Sequence, residues 1–318
     1  MAPHFLTSIK IAASAVILSA TLATMALASG WSSSERLERA RSGLASATKG
    51  DLIYVGGGAA AGDPANAFEV FDAAKEAWRP LPALPVGLIS FSMAAVGNEV
   101  FITGGYGADD PGEPRKDVWA YDTETATWSQ KPAMPVARAG HGSVSVGGKL
   151  YVIGGTGTDP GRVLVFNPAD GEWRTTAALP TVRRALAVAT DGKTIYAVGG
   201  IRPDGSVSGA LEALDTASGK WTALPALPGA RGALVAGVLE GQLHVVGGAT
   251  WKPLKTYASH DVFNLASKSW SKKAALSSAR QGMAAGVAAG RLWVIGGGSG
   301  AGVFGVFTAS DAVESFEP

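Results

Sequence analysis

The sequence predicts an all-β fold in which six four-stranded blades form a closed β-propeller, the last blade completed by a strand from the chain's own N-terminus. Three observations carry that expectation. A double glycine closes an apolar run six times along the 318 residues, at Gly56-Gly57, Gly104-Gly105, Gly154-Gly155, Gly199-Gly200, Gly247-Gly248 and Gly296-Gly297. A tryptophan follows each of the first five at a regular place: Trp78, Trp128, Trp173, Trp221 and Trp270. The sixth unit stops short of its tryptophan, and the missing marker stands at the other end of the chain, at Trp31.

The runs before the glycines define one strand per unit. They read Leu-Ile-Tyr-Val, Val-Phe-Ile-Thr, Leu-Tyr-Val-Ile, Ile-Tyr-Ala-Val, Leu-His-Val-Val and Leu-Trp-Val-Ile. Such β-branched and aromatic runs suit a strand buried on both faces, and paired glycines at its end permit positive φ and close backbone approach. A hairpin follows. Phe71, Tyr121, Phe166, Leu214 and Phe263 each precede a tryptophan by seven residues, and each is followed by Asp or Asn, a turn former. Beyond each tryptophan by six residues lies Leu84, Met134, Leu179, Leu227 or Leu276, and the next apolar strand begins shortly after. Each unit therefore holds four strands.

Closure of the ring follows from the irregular unit. Its third strand ends near Phe316, and the chain ends at Pro318. Trp31 precedes Arg41 by ten residues, as Trp128 precedes Arg138 and Trp270 precedes Arg280, and Leu37 stands six after Trp31. The segment around Trp31 is thus expected to form the outer strand of blade six, leaving no open edge between first and last blades.

Taken together, the double glycine, the aromatic-Asp step and the tryptophan resemble the kelch repeat, whose units of about 50 residues each form one propeller blade. The resemblance spans essentially all of residues 29–318, which are expected to be a single domain.

Residues 1–28 carry the pattern of a cleaved export signal: Lys10, an apolar stretch from Ile11 to Leu27, and the small residues around Ala26-Leu27-Ala28. The stretch is diluted by Ser14, Ser19, Thr21 and Thr24 and falls short of the ~20 strongly apolar residues of a spanning helix. A periplasmic or secreted protein without membrane insertion is expected. Without Lys10, 26 basic residues balance 26 acidic ones, too neutral for general attraction to nucleic acid or anionic bilayers. Cysteine is absent, which excludes disulfides, thiolate metal sites and cysteine nucleophiles.

Candidate site residues fall on the face holding the loops after the double glycines and the entries to the innermost strands, here called the top face. Arg41, Arg138, Arg183, Arg231 and Arg280 occupy five of the six strand entries, and Leu88 takes the sixth. Arg41 lies 15 residues before its double glycine and the other four lie 16 before. Placed round a channel mouth, such guanidinium groups would bind a carboxylate or another anion. Alternatively each pairs internally, with Glu69, Glu212 and Glu314 as candidate partners. Among the loops, Tyr106, Trp251 and Tyr257 offer aromatic surfaces for stacking on a sugar or peptide. Trp251 stands beside Lys252 and Lys255, with its folding back onto the blade as the alternative.

No phosphate loop, nucleophile elbow or zinc motif is present. His244 stands where other units have Tyr, Phe or Trp, a position of core character, His141 follows an Arg-x-Gly entry common in kelch repeats, and no metal set or cofactor is expected. The leading expectation is a recognition module that takes an anionic peptide, protein or glycan on its top face. At the level of fold and export the sequence also resembles periplasmic kelch epimerases that interconvert anomers of N-acetylneuraminate, which implies an enzyme acting on an acidic sugar as the alternative. Those epimerases carry longer loop insertions than the compact units here. A scaffold role within a larger assembly is a third possibility.

Overall fold

The computed structural model describes residues 30–61 and 63–318, so the expected signal segment, 1–28, lies outside the described residues. Six four-stranded antiparallel sheets stand around a central axis. In blade one, Ser42–Lys49 is innermost, followed outward by Leu52–Ala60, Phe68–Asp72 and Ala77–Pro80. Blades two to five repeat that order, and their innermost strands are Ser92–Val96, Gly142–Val146, Ala187–Thr190 and Val235–Leu239. Blade six runs Ala284–Ala288, Arg291–Ile295 and Val313–Glu317, and its outer strand is Gly30–Ser33. Trp31 stands opposite Phe316 in the register of that last pair. The chain ends therefore close the ring as the sequence predicts, and the innermost strand of blade six packs against that of blade one.

The repeated tryptophans do two things. Each ring packs on the aromatic or leucine opposite it, as Trp78 does on Phe71 and Trp173 on Phe166, with centroids 4.9 and 5.0 Å apart. Each indole Nε1 also donates to the carbonyl four residues beyond the tryptophan of the preceding blade. Trp128 reaches Pro82, Trp173 reaches Pro132, Trp221 reaches Ala177 and Trp270 reaches Pro225, at 2.8–3.0 Å. Trp31 donates to Ala274 at 2.8 Å and Trp78 to Glu35 at 3.0 Å, so the series runs unbroken through the junction of the chain ends. The residues six beyond each tryptophan, Leu37 among them, are all buried.

The glycines are set by the approach of the next blade. At Gly104, φ is +55° and a Cβ would lie 2.3 Å from the Arg138 carbonyl oxygen, an overlap no side chain tolerates. Gly105 then donates its N–H to that carbonyl at 2.8 Å, and Gly297 does the same to Arg41 across the junction at 2.9 Å. Of the three consecutive glycines 56–58 in blade one, Gly57 and Gly58 have positive φ, one place later than the pair read from the sequence. Counted from Gly57, Arg41 has the same spacing of 16 as the other arginines.

Candidate functional site

The five arginines of the strand entries are buried, each 0–1% exposed, and their guanidinium groups are engaged within the protein. Arg183 shows the pattern most fully. Its Nε donates to the Gly199 carbonyl at 2.7 Å, Nη2 to Ala197 at 2.9 Å, and Nη1 meets the Glu212 carboxylate at 2.5 Å. Arg231 donates to Gly247 and pairs with Asp261 at 2.7 Å, while Arg41 pairs with Glu69 and Arg280 with Glu314. Burial draws these four arginine pKa values down, and the facing carboxylate opposes that. The Glu69 pKa is raised by burial against the opposing pull of Arg41. Arg138 has no carboxylate, since Leu164 fills the place. It donates instead to the carbonyls of Thr158 and Asp159, both at 2.5 Å.

These contacts correct the expectation of an open cationic rim. Arg41, Arg183, Arg231 and Arg280 stitch a strand entry to the end of the second strand and to the third strand, Arg138 ties its entry to the loop at Thr158 and Asp159, and none presents a free guanidinium to the channel mouth. The pairing with Glu69, Glu212 and Glu314 raised as the alternative is what the structure has. Asp261 completes the set in blade five, two residues before Phe263 as Glu69 is before Phe71. The sequence pattern contained that signal, but a shorter carboxylate carried it.

One accessible cation at the channel mouth is the neighbour of a predicted one. Arg184 is exposed, and its side chain makes no hydrogen bond or ion pair among the described residues. It lines two adjoining depressions at the channel mouth, and Trp251 lines both as well. The half-buried Trp251 indole lies between Gly232 of its own blade and Gly302 of blade six, where glycine alone leaves room for the ring. Ile201, Asp204, Ser206 and Lys252 complete the outer depression. Hydrogen bonds from Ser206 hold the Asp204 carboxyl below the usual carboxylate range, which makes it a poor proton acceptor.

The other predicted aromatics stand apart from that pair. Tyr106 is half-buried, its hydroxyl 3.4 Å from Thr156 Oγ1, and Tyr257 lies under the Lys255 ammonium at 5.0 Å. In the blade-two loop, Arg115 is held by Asp109 and Asp117, so its charge is neutralised locally. Small residues of the innermost strands, such as Ser46, Ser92, Ser143 and Ala236, line the central channel, and no charged side chain does so among the described residues. His141 sits at the channel's upper level, where Leu44, Phe91, Leu186, Leu234 and Met283 stand in the other blades. Its Nε2 meets Thr103 Oγ1 at 2.8 Å, and burial pushes its pKa down to about 3. No cluster of three or more metal-ligating side chains occurs among the described residues, and no described helix is long and apolar enough to cross a membrane.

A family model described as the KLHDC2/KLHL20/DRC7 kelch-repeats domain matches residues 28–178 and, overlapping them, 140–314. Among solved structures, that of YjhT superposes with a TM-score of 0.74 at 21% identity, covering 88% of this chain and 96% of the other. At that identity the likeness speaks for the fold alone. No protein of curated function matches.

Proposed function

Because the chain belongs to the KLHDC2/KLHL20/DRC7 kelch-repeat family, we propose that it is an extracytoplasmic recognition module, binding the anionic group of a peptide, protein or glycan at the mouth of its channel. The observation that carries this reading is Arg184 beside Trp251. A guanidinium with all its donors free, next to an indole fixed between two glycines, fits a carboxylate joined to a flat or apolar group. The fork of Arg184 takes the anion and the exposed part of Trp251 takes the adjoining surface. The buried Arg183 serves this site by holding the strand entry of blade four, from which Arg184 projects.

The reading is tested by titrating acidic sugars and acidic peptides into the protein and following heat and thermal stability. Saturable binding that Arg184→Ala reduces at least about tenfold, at unchanged thermal stability, is expected from loss of a charge-assisted pair. Binding insensitive to that substitution would place the site elsewhere. The same sample, followed by NMR for anomer exchange of N-acetylneuraminate, separates recognition from catalysis. Acceleration of the exchange would replace the present reading with that of an epimerase.

A further inference from the structure

Four large apolar side chains stand in water among the described residues, Leu254, Val303, Phe304 and Phe307, exposed by 59, 74, 54 and 65%. All four belong to two touching loops on the top face. Leu254 lies in the hairpin formed by Ala249–Trp251 and Leu254–Thr256, and the other three on the 3-10 helix Gly302–Phe307 of blade six. Gly302 lies against both Trp251 and Leu254, which makes the patch continuous. Solvated apolar side chains gathered in one place mark a surface that is covered in use.

The display is built. The buried Gln281 donates through Nε2 to the carbonyls of Gly300 and Gly302, at 2.7 and 2.6 Å. Thr308 Oγ1 accepts from Gly300 N–H at 2.6 Å and donates to the Phe304 carbonyl at 2.9 Å. The backbone of the loop is thus held from within while its valine and phenylalanines point out.

Charge and composition say what covers it. Residues 249–259 contain Lys252 and Lys255 and no acid, and residues 298–309 contain no charge at all. Both lysines are exposed, and neither forms an ion pair among the described residues. Arg184 and Arg202, also exposed, stand on the neighbouring blade, with Asp204 the one carboxylate between them. A protein partner would meet few hydrogen-bonding groups here, because Thr308 is occupied inside its loop. Phenylalanines at the tips, a Trp and a Tyr beside them and flanking lysines without acids are the chemistry of a shallow seat in a bilayer interface. We propose that the loops of blades five and six dock the protein on an anionic lipid surface, with Phe304, Phe307, Val303 and Leu254 entering the headgroup boundary and Lys252 and Lys255 meeting the lipid phosphates. Overall neutrality does not oppose this, because the attraction is local and acts within a Debye length of the surface.

Co-sedimentation with vesicles tests it, using pure phosphatidylcholine against phosphatidylcholine mixed with phosphatidylglycerol. The protein is expected to partition onto the mixed vesicles at least about tenfold more strongly than onto neutral ones, and less so at high salt. Phe304→Ser with Phe307→Ser is expected to lower that partitioning about tenfold at unchanged thermal unfolding, and Lys252→Glu with Lys255→Glu to do likewise. Absence of binding, equal binding to both vesicles, or binding that survives the phenylalanine substitutions overturns the proposal. So does self-association in solution that the same substitutions abolish, since a second copy would then be the cover. Recognition of soluble acids through Arg184 is a separate readout, and its failure would leave the vesicle result standing.

Discussion

Replacing Trp31 with alanine tests whether the junction of the chain ends is a blade like the others. In the structure Trp31 packs at 5.6 Å from Phe316 and 5.3 Å from His260, and donates its Nε1–H to Ala274 at 2.8 Å. The same set of contacts surrounds Trp128, which packs on Tyr121 at 5.2 Å and donates to Pro82 at 3.0 Å, within a continuous stretch of chain. Both indoles are half-buried. Truncating a fully buried tryptophan costs about 3–5 kcal/mol, so about 3 kcal/mol is expected here, with roughly 1 kcal/mol more for the lost hydrogen bond. For a domain of this size that is a fall in Tm of roughly 6–10 °C. Trp31→Ala and Trp128→Ala, compared by calorimetry and urea titration, are expected to agree within about 1 kcal/mol, a margin usual for equivalent contacts. A Tm unchanged in Trp31→Ala while Trp128→Ala falls would mean that the N-terminal strand is an appendage and the ring is closed by other contacts.

Three further expectations concern the core and the site. His141, His244 and His260 are buried and neutral, with pKa values pushed down by burial to about 3, about 4 and about 3. The unfolded chain binds more protons below pH ~6.5, so their contribution to stability is complete above that pH and is lost as pH falls toward 4. The slope is about 1.4 kcal/mol per pH unit for each, or roughly 4 for the three. His141→Phe, the residue blade two has there as Phe91, is expected to remove about a third of it in urea titrations between pH 7 and 5, and a flat profile in the wild type would show these histidines to be charged or hydrated. Arg183→Ala strands the Glu212 carboxylate, which keeps only Thr181 Oγ1 at 2.7 Å, and is expected to cost about 3–5 kcal/mol. Adding Glu212→Trp to Arg183→Leu copies the apolar pair Leu88 and Trp119 of blade two, and recovers most of that loss unless the ion pair is itself needed for the strand entry to form. Arg184→Ala, one residue along, is expected to leave Tm within about 1 °C of wild type, as an exposed and unpaired side chain does, and a large fall would show that it braces the channel mouth.

The fold was legible because its markers are demanded by contacts between neighbouring blades. A tryptophan that must reach the carbonyl beyond the previous tryptophan has to recur at a fixed place in every unit. For the same reason Trp31, far from the C-terminus in sequence, could be assigned to blade six from spacing alone. Glycines facing the next blade's backbone admit no other residue, and so they also show in the sequence. The single offset, Arg41 at 15 residues instead of 16, came from three consecutive glycines, among which only φ tells which two make the bend.

The site was less legible because burial separates adjacent residues that look alike. Arg183 and Arg184 differ in one place along a strand entry, yet one faces a carboxylate 29 residues away and the other faces water. Val303, Phe304 and Phe307 carry no repeat marker in the sequence, and it is the loop held by Gln281 that turns them outward.

The variation among blades explains what the buried arginines are for. Four blades fill the slot between strand entry and third strand with an arginine and an acid, blade two fills it with Leu88 and Trp119, and blade three with Arg138 and Leu164. A ligand rim would need the same charge at every accessible position, whereas a packing slot needs only to be filled and its polar atoms satisfied. Arg138 meets the second requirement through carbonyls and the other four through carboxylates. A slot that accepts three chemistries within one chain is set by space and hydrogen bonding inside the blade, and under the proposed function discrimination between ligands would rest on side chains outside it, Arg184 and Trp251 first.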